Sequence, residues 1–213
     1  MIYGNLPQDL GLIDVDNKEM MFWQYCPISL ANSNELNIPD NLIWTYDIIL
    51  ASLYNFNKSS KVDQNLNHYY HNMYITVKTL YLTDNYIGNR HGWHTDGFGT
   101  DDINYIWYDR VPTEFIYGKF HLTDDCNVSM KEMEEIAQIK DKIHYPNRHL
   151  LKLDSSVIHR CNPIFNEGMR SFVKISYSKD IYNLEGNSRN PKLKTNWTML
   201  PRELDRNHPS KKV

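Results

Sequence analysis

Cysteine is scarce in this chain: Cys26, Cys126 and Cys161 are odd in number and lie far apart. That pattern excludes a disulfide framework and a CxxC zinc site, and it predicts a reduced, cytoplasmic setting. Long apolar runs are missing as well, so no membrane span is expected. The opening MIYGNLPQDLGLID lacks the basic-then-apolar order of a signal peptide. A strong excess of either charge is also absent. The 23 Lys and Arg against 26 Asp and Glu leave a net charge of -3, too weak a field to draw the whole chain onto a polyanion. Repeats, low-complexity blocks and Gly/Ser/Pro linkers are lacking, which predicts one domain over residues 1–213.

What is there is ordinary for a folded protein: 41% hydrophobic and 23% charged residues, enough to build one core. Charge is uneven only near the end, where Arg189, Lys192, Lys194, Arg202, Arg206, Lys211 and Lys212 crowd together. This basic C-terminal extension, residues 181–213, reads as a solvated tail, with a nucleic-acid contact as its alternative.

Residues 1–38 read as irregular, because Asn-Ser-Asn and Pro residues interrupt each short apolar run. Pro39-Asp40 opens a helix in which Leu42, Ile43, Tyr46, Ile49, Leu50 and Leu53 recur at helical spacing. Residues 1–72 are thus a helical and irregular support. From Met73 the stretch MYITVKTLYLTD turns β-branched and aromatic, and WHTDGF, INYIWYD, PTEFIYGKF, HLLKLD, SVIHRC and RSFVKISYS continue in extended form. One helix interrupts them, with Ser129 and Glu132 as a capping box and an apolar stripe running to about Ile143. The fold class is mainly β with flanking helices, a sheet sandwich or barrel closed by helices on one side.

Chemistry enters at His94-Thr95-Asp96. Residues i and i+2 of a strand share a face, so an imidazole and a carboxylate stand side by side. With one further His, such a pair covers one face of an octahedral metal and leaves the other positions open, as non-haem Fe(II) oxygenases require. Gly97 and Gly99 leave room for a ligand there. His159 in SVIHRC is the third ligand candidate. Arg170, eleven positions later, sits in a β-rich run where a permanent charge is costly unless an anion meets it. A bound dicarboxylate is the natural partner of its planar guanidinium. Trp93, Phe98, Trp107 and Tyr108 either line the substrate side or pack the core.

With these residues in hand, the chain resembles the Fe(II)/2-oxoglutarate-dependent dioxygenase superfamily, in particular its taurine-dioxygenase-like branch. The resemblance covers about residues 73–180. It rests on Trp93-His94-Thr95-Asp96, on Pro112-Thr113-Glu114-Phe115, and on His159 followed by Arg170 and Lys174. It implies a double-stranded β-helix (jelly-roll) core over 73–180, and Fe(II), 2-oxoglutarate and O2 as cofactors. His94, Asp96 and His159 would hold the iron and be the catalytic set. Arg170 would grip the C5 carboxylate of 2-oxoglutarate, with Thr113 helping. Lys174 stands where the branch commonly places a second Arg for the C1 carboxylate. The implied reaction hydroxylates an unactivated C–H bond of a small molecule and releases succinate and CO2. The loop between WHTD and PTEF is shorter than in many relatives, so the branch's substrates do not carry over. Two readings stand beside it: an inactive barrel that binds nucleic acid or another ligand, and a zinc hydrolase built on the same three side chains.

Overall fold

The run GMRSFVKISYS alternates polar with apolar side chains, and a strand of that kind divides two environments. In the computed structural model, which describes residues 1–59, 67–83, 86–163 and 165–202, this run is strand β9 (Gly168–Ser178). It lies inside a six-stranded sheet whose order is β1 (Gln8–Leu12), β7 (His149–Leu153), β4 (Ile103–Tyr108), β9, β3 (Asn72–Leu82) and β2 (Met21–Ser29). A second sheet has three strands in the order β6 (Ile143–His144), β5 (Thr113–Phe115) and β8 (His159–Cys161). All pairings between these strands are antiparallel. The protein is therefore mainly β, with two antiparallel sheets and few helices.

The apolar half of the alternation faces outward from the larger sheet. Ile75, Val77, Tyr105, Trp107, Val173, Ile175 and Tyr177 form one cluster with Leu42, Ile48, Ile49 and Phe56. Those last residues come from a short 3-10 helix (Asp40–Thr45) and from α1 (Tyr46–Lys58). Phe56 stacks on Tyr177 with ring centroids 3.9 Å apart, and each fully buried aliphatic side chain there contributes about 1.5–3 kcal/mol. On the smaller sheet, α2 (Cys126–Gln138) sets Met133 and Ala137 against Trp93, Phe98, Ile116 and Ile158. Ile106, Tyr108, Phe115, Leu151, Leu153 and Val157 join the two sheets. The layers run α1, large sheet, interior, small sheet, α2.

Several sequence expectations change here. The segment 1–38 is not irregular throughout, because β1 and β2 form the two edges of the larger sheet. Register shifts at Asp9/Leu12, Trp23/Cys26 and Pro27/Ser29 break their alternation, which hides them from a period-two search. The helix after Pro39 is present, but its buried side is Leu42, Ile48, Ile49 and Phe56, while Ile43, Tyr46 and Leu50 are exposed. The second helix starts earlier than expected, since Asp125 caps it by accepting from the N–H groups of Asn127 and Val128. Glu132 instead accepts from the Thr123 amide and hydroxyl, so no capping box forms with Ser129. Helices cover both outer faces, not one side.

Among the described residues no helix is long and apolar enough to cross a membrane. Of the basic extension, Lys192 pairs with Asp40 at 2.5 Å and Arg202 donates to the Glu185 carbonyl at 2.9 Å. Arg206, Lys211 and Lys212 lie outside the described residues.

Candidate metal centre

The segment carrying His94 is stitched to β8 by its own backbone. The His94 N–H donates to the His159 carbonyl at 3.0 Å, and the His159 N–H donates back at 2.9 Å. Two residues that exchange both hydrogen bonds sit directly opposite one another, and the two imidazoles follow with ring centroids 4.6 Å apart. His94 Nδ1 lies 2.9 Å from the Gly92 carbonyl, and His159 Nδ1 lies 3.1 Å from the Val157 carbonyl. A carbonyl only accepts, so each Nδ1 carries the proton and each Nε2 keeps a lone pair for a ligand.

Asp96 follows at the start of a turn rather than on an extended strand. Gly97 has φ 69°, and a Cβ there would stand 2.7 Å from Thr100 Oγ1. Its bare backbone therefore serves this tight turn, not the room for a ligand that the sequence suggested. The turn aims the carboxylate back, with Oδ2 3.7 Å from His159 Nε2. One donor atom from each of His94, Asp96 and His159 lies within 4.8 Å of the others. The three side chains could hold a metal ion.

Their electrostatics suit that task. Burial pushes His94 down to about 3, helped by His159, and burial lowers His159 too, so both rings are neutral at ordinary pH. Burial alone would raise the Asp96 pKa, but Lys174 and the two imidazoles outweigh it and hold the carboxyl below its ordinary range. Lys174 is buried as well, which would lower its pKa. The ion pair with Asp96, Nζ to Oδ2 at 3.1 Å, and the hydrogen bond to Tyr25 Oη at 3.1 Å reverse the direction. Asp96 is thus an ionised ligand in waiting.

A cavity of about 150 Å³ opens beside the three side chains, and Thr113, Lys174 and Lys78 help line it. Thr113 reaches it from β5, where it pairs with Cys161 of β8. Arg170 is placed differently. It is buried, and its Nε and Nη2 donate to the carbonyls of Arg110 at 3.0 Å and Val111 at 3.1 Å, with the guanidinium 5.3 Å from the Phe172 ring centre. Main-chain oxygens, ring faces and the nearby Asp109 carboxylate offset the cost of burying this cation. Its side chain lies behind the cavity wall rather than among the lining groups.

Trp93 and Phe98 pack under α2, Trp107 faces α1, and Tyr108 lies between the sheets, so all four serve the core. Lys78 and Tyr25 are the functional candidates that the sequence reading passed over. Lys78 had a signal: it alternates with Val77 and Thr79 in a strand that otherwise reads as apolar. Tyr25 had none, since it sits at a β2 bulge with φ 45°.

No protein-family model matches the chain, and no curated protein matches it. Among solved structures it is similar to a bsmA homologue from Methylobium petroleophilum PM1, at 13% identity and a TM-score of 0.36, covering 82% of this chain and 66% of that one. The chain thus spans just under two thirds of that neighbour's length.

Proposed function

We propose that this chain is an Fe(II)- and 2-oxoglutarate-dependent oxygenase that hydroxylates an unactivated C–H bond of a small molecule. The observation that carries the reading is the convergence of two neutral imidazoles and one ionised carboxylate, His94, His159 and Asp96, beside a cavity with cationic walls. This donor set fits a first-row divalent cation bound on one face, with the remaining positions open to small ligands. When bound, iron with 2-oxoglutarate and O2 supplies the oxidation, in which decarboxylation to succinate and CO2 is coupled to hydroxylation.

The protein's own part is to hold and to exclude. The backbone carbonyls of Gly92 and Val157 fix both imidazoles in the ligating tautomer. Lys174 keeps Asp96 ionised and presents an ammonium to a carboxylate arriving at the metal face. Thr113 offers a hydroxyl to the same co-substrate from the smaller sheet. Arg170, behind the wall, adds positive potential that is felt at Lys78. The clusters that join and cover the two sheets keep bulk water from all but the cavity. In this reading the two sheets are the halves of a double-stranded β-helix.

The test is succinate release from 2-oxoglutarate with Fe(II), compared with Zn(II) and with no metal. Release is expected only with Fe(II) and O2, and His159→Ala is expected to lower it at least a hundredfold. Ester or amide hydrolysis supported by Zn(II) without succinate would instead favour the hydrolase. A folded chain that binds metal yet turns over nothing would favour the inactive barrel.

A further inference from the structure

The pairing of β3 with β9 sets Thr76 opposite Lys174, Lys78 opposite Phe172 and Leu80 opposite Arg170. Directly paired residues point to the same face of a sheet, so Lys174, Lys78 and Arg170 share the inner face of the larger one. Their charges are met in different ways. Lys174 is paired with Asp96 at 3.1 Å, and Arg170 donates to two main-chain carbonyls. Lys78 donates to the Gly88 carbonyl at 3.1 Å and to Asn89 Oδ1 at 3.2 Å, both neutral, and its Nζ lies 5.6 Å from the Phe22 ring centre. Among the described residues that line the cavity, Asp96 is the one acid, whereas Lys78, Lys174, Arg90 and Arg202 are cations. Asp96 is already engaged by Lys174. Lys78 is therefore a half-buried cation that faces the cavity with neutral hydrogen-bond partners, an arrangement that an incoming anion would complete. Burial, with Lys174 and Arg170 nearby, pushes its pKa down to about 8, which agrees with a shortage of negative charge around it.

We propose that Lys78 is the anion anchor of this cavity and grips the far carboxylate of a short dicarboxylate whose near end lies at His94, Asp96 and His159. This rests on the oxygenase reading and deepens it, because it moves the distal grip on 2-oxoglutarate from Arg170 to Lys78. Spacing supports the assignment. Lys78 stands two residues along β3 from Thr76, the partner of Lys174. Two residues of strand span about 6.6 Å, close to the reach of a five-carbon diacid. Phe172, opposite Lys78, and Ile106, opposite Lys174, line the same cavity and offer apolar surface to the methylenes between the two carboxylates.

The test measures binding to the full chain by calorimetry under anaerobic conditions, with Mn(II) present and absent. The probes are 2-oxoglutarate and glutarate, which keeps both carboxylates but lacks the keto group. The variants are Lys78→Met, Lys78→Arg and Arg170→Met. Wild type is expected to bind both diacids, and glutarate to bind with or without Mn(II). Lys78→Met should weaken both at least tenfold while Mn(II) affinity shifts less than threefold, and Lys78→Arg should restore most of the loss. The proposal is overturned if wild type binds neither diacid, if Lys78→Met binds glutarate as wild type does, or if Arg170→Met alone abolishes binding. The two readings fail separately. Lys78-dependent glutarate binding without succinate release sinks the oxygenase and leaves the anchor. Succinate release whose KM for 2-oxoglutarate is unmoved in Lys78→Met does the reverse.

Discussion

Strands β3 and β9 have two faces of opposite character on one backbone. Outward, Ile75, Val77, Val173, Ile175 and Tyr177 are buried against α1 and its neighbours. Inward, Thr76, Arg170, Lys174 and Ser176 set hydroxyls and cations in an interior that is nearly as well hidden from water, with Lys78 half-buried beside them. Burial is similar but the energetics differ. The outer face gains from every methylene removed from water. The inner face must recover the desolvation of each polar group through a specific partner, such as Lys174 with Asp96 or Ser176 with Asn104. The same strands thus carry an apolar side held by burial and a polar side held by specific partners.

Breaking the inner face should have the largest effect. Lys174→Met leaves the Asp96 carboxylate without its counter-ion and is expected to cost about 3–5 kcal/mol in the metal-free chain. Because a divalent ion can replace the lost charge, Mn(II) should recover more of the urea midpoint in this variant than in wild type. An equal response to Mn(II) in both would show that the ion pair and the metal do not share Asp96. On the outer face, Ile175→Ala should cost about 2–5 kcal/mol through the cavity it leaves, with Mn(II) affinity per folded molecule unchanged. A tenfold loss of affinity there would erase the division between the faces.

A smaller effect should appear on acidification. The folded-state pKa of His94 lies at about 3 against 6.5 for the free side chain. The unfolded chain therefore takes up the proton first as pH falls below 6.5, and stability must drop with it. The contribution is complete above 6.5 and declines toward 3, by about 1 kcal/mol between pH 7 and 5.5 for one such group. Denaturation midpoints of metal-free wild type and His94→Gln across that range check it, the variant giving the flatter curve.

What the sequence disclosed follows the same division. Strands with one mostly apolar side, β3, β4 and β9, were readable, and so was the helix after Pro39. His94 and Asp96 were readable because two residues of separation keep side chains together even where the backbone turns at Gly97. The edge strands were not, since bulges at Trp23/Cys26 and Pro27/Ser29 scramble their period. The surroundings of Arg170 were also hidden. The carbonyls that receive it belong to Arg110 and Val111, and Val111 takes φ 53°. A bulky β-branched residue gives no warning of that conformation. Lys78 was overlooked for a plainer reason: that it shares a face with Arg170 and Lys174 depends on which residue stands across from it on β9, and register is a property of the assembled sheet.

The reciprocal peptide contacts between residues 94 and 159 have one further consequence. The gap between the two imidazoles is inherited from main-chain geometry and owes little to whichever side chains surround it. Side chains at the mouth of the cavity can therefore be traded for others without retuning the donors beneath them. A scaffold built this way can change what its cavity admits while the three donor side chains stay in place.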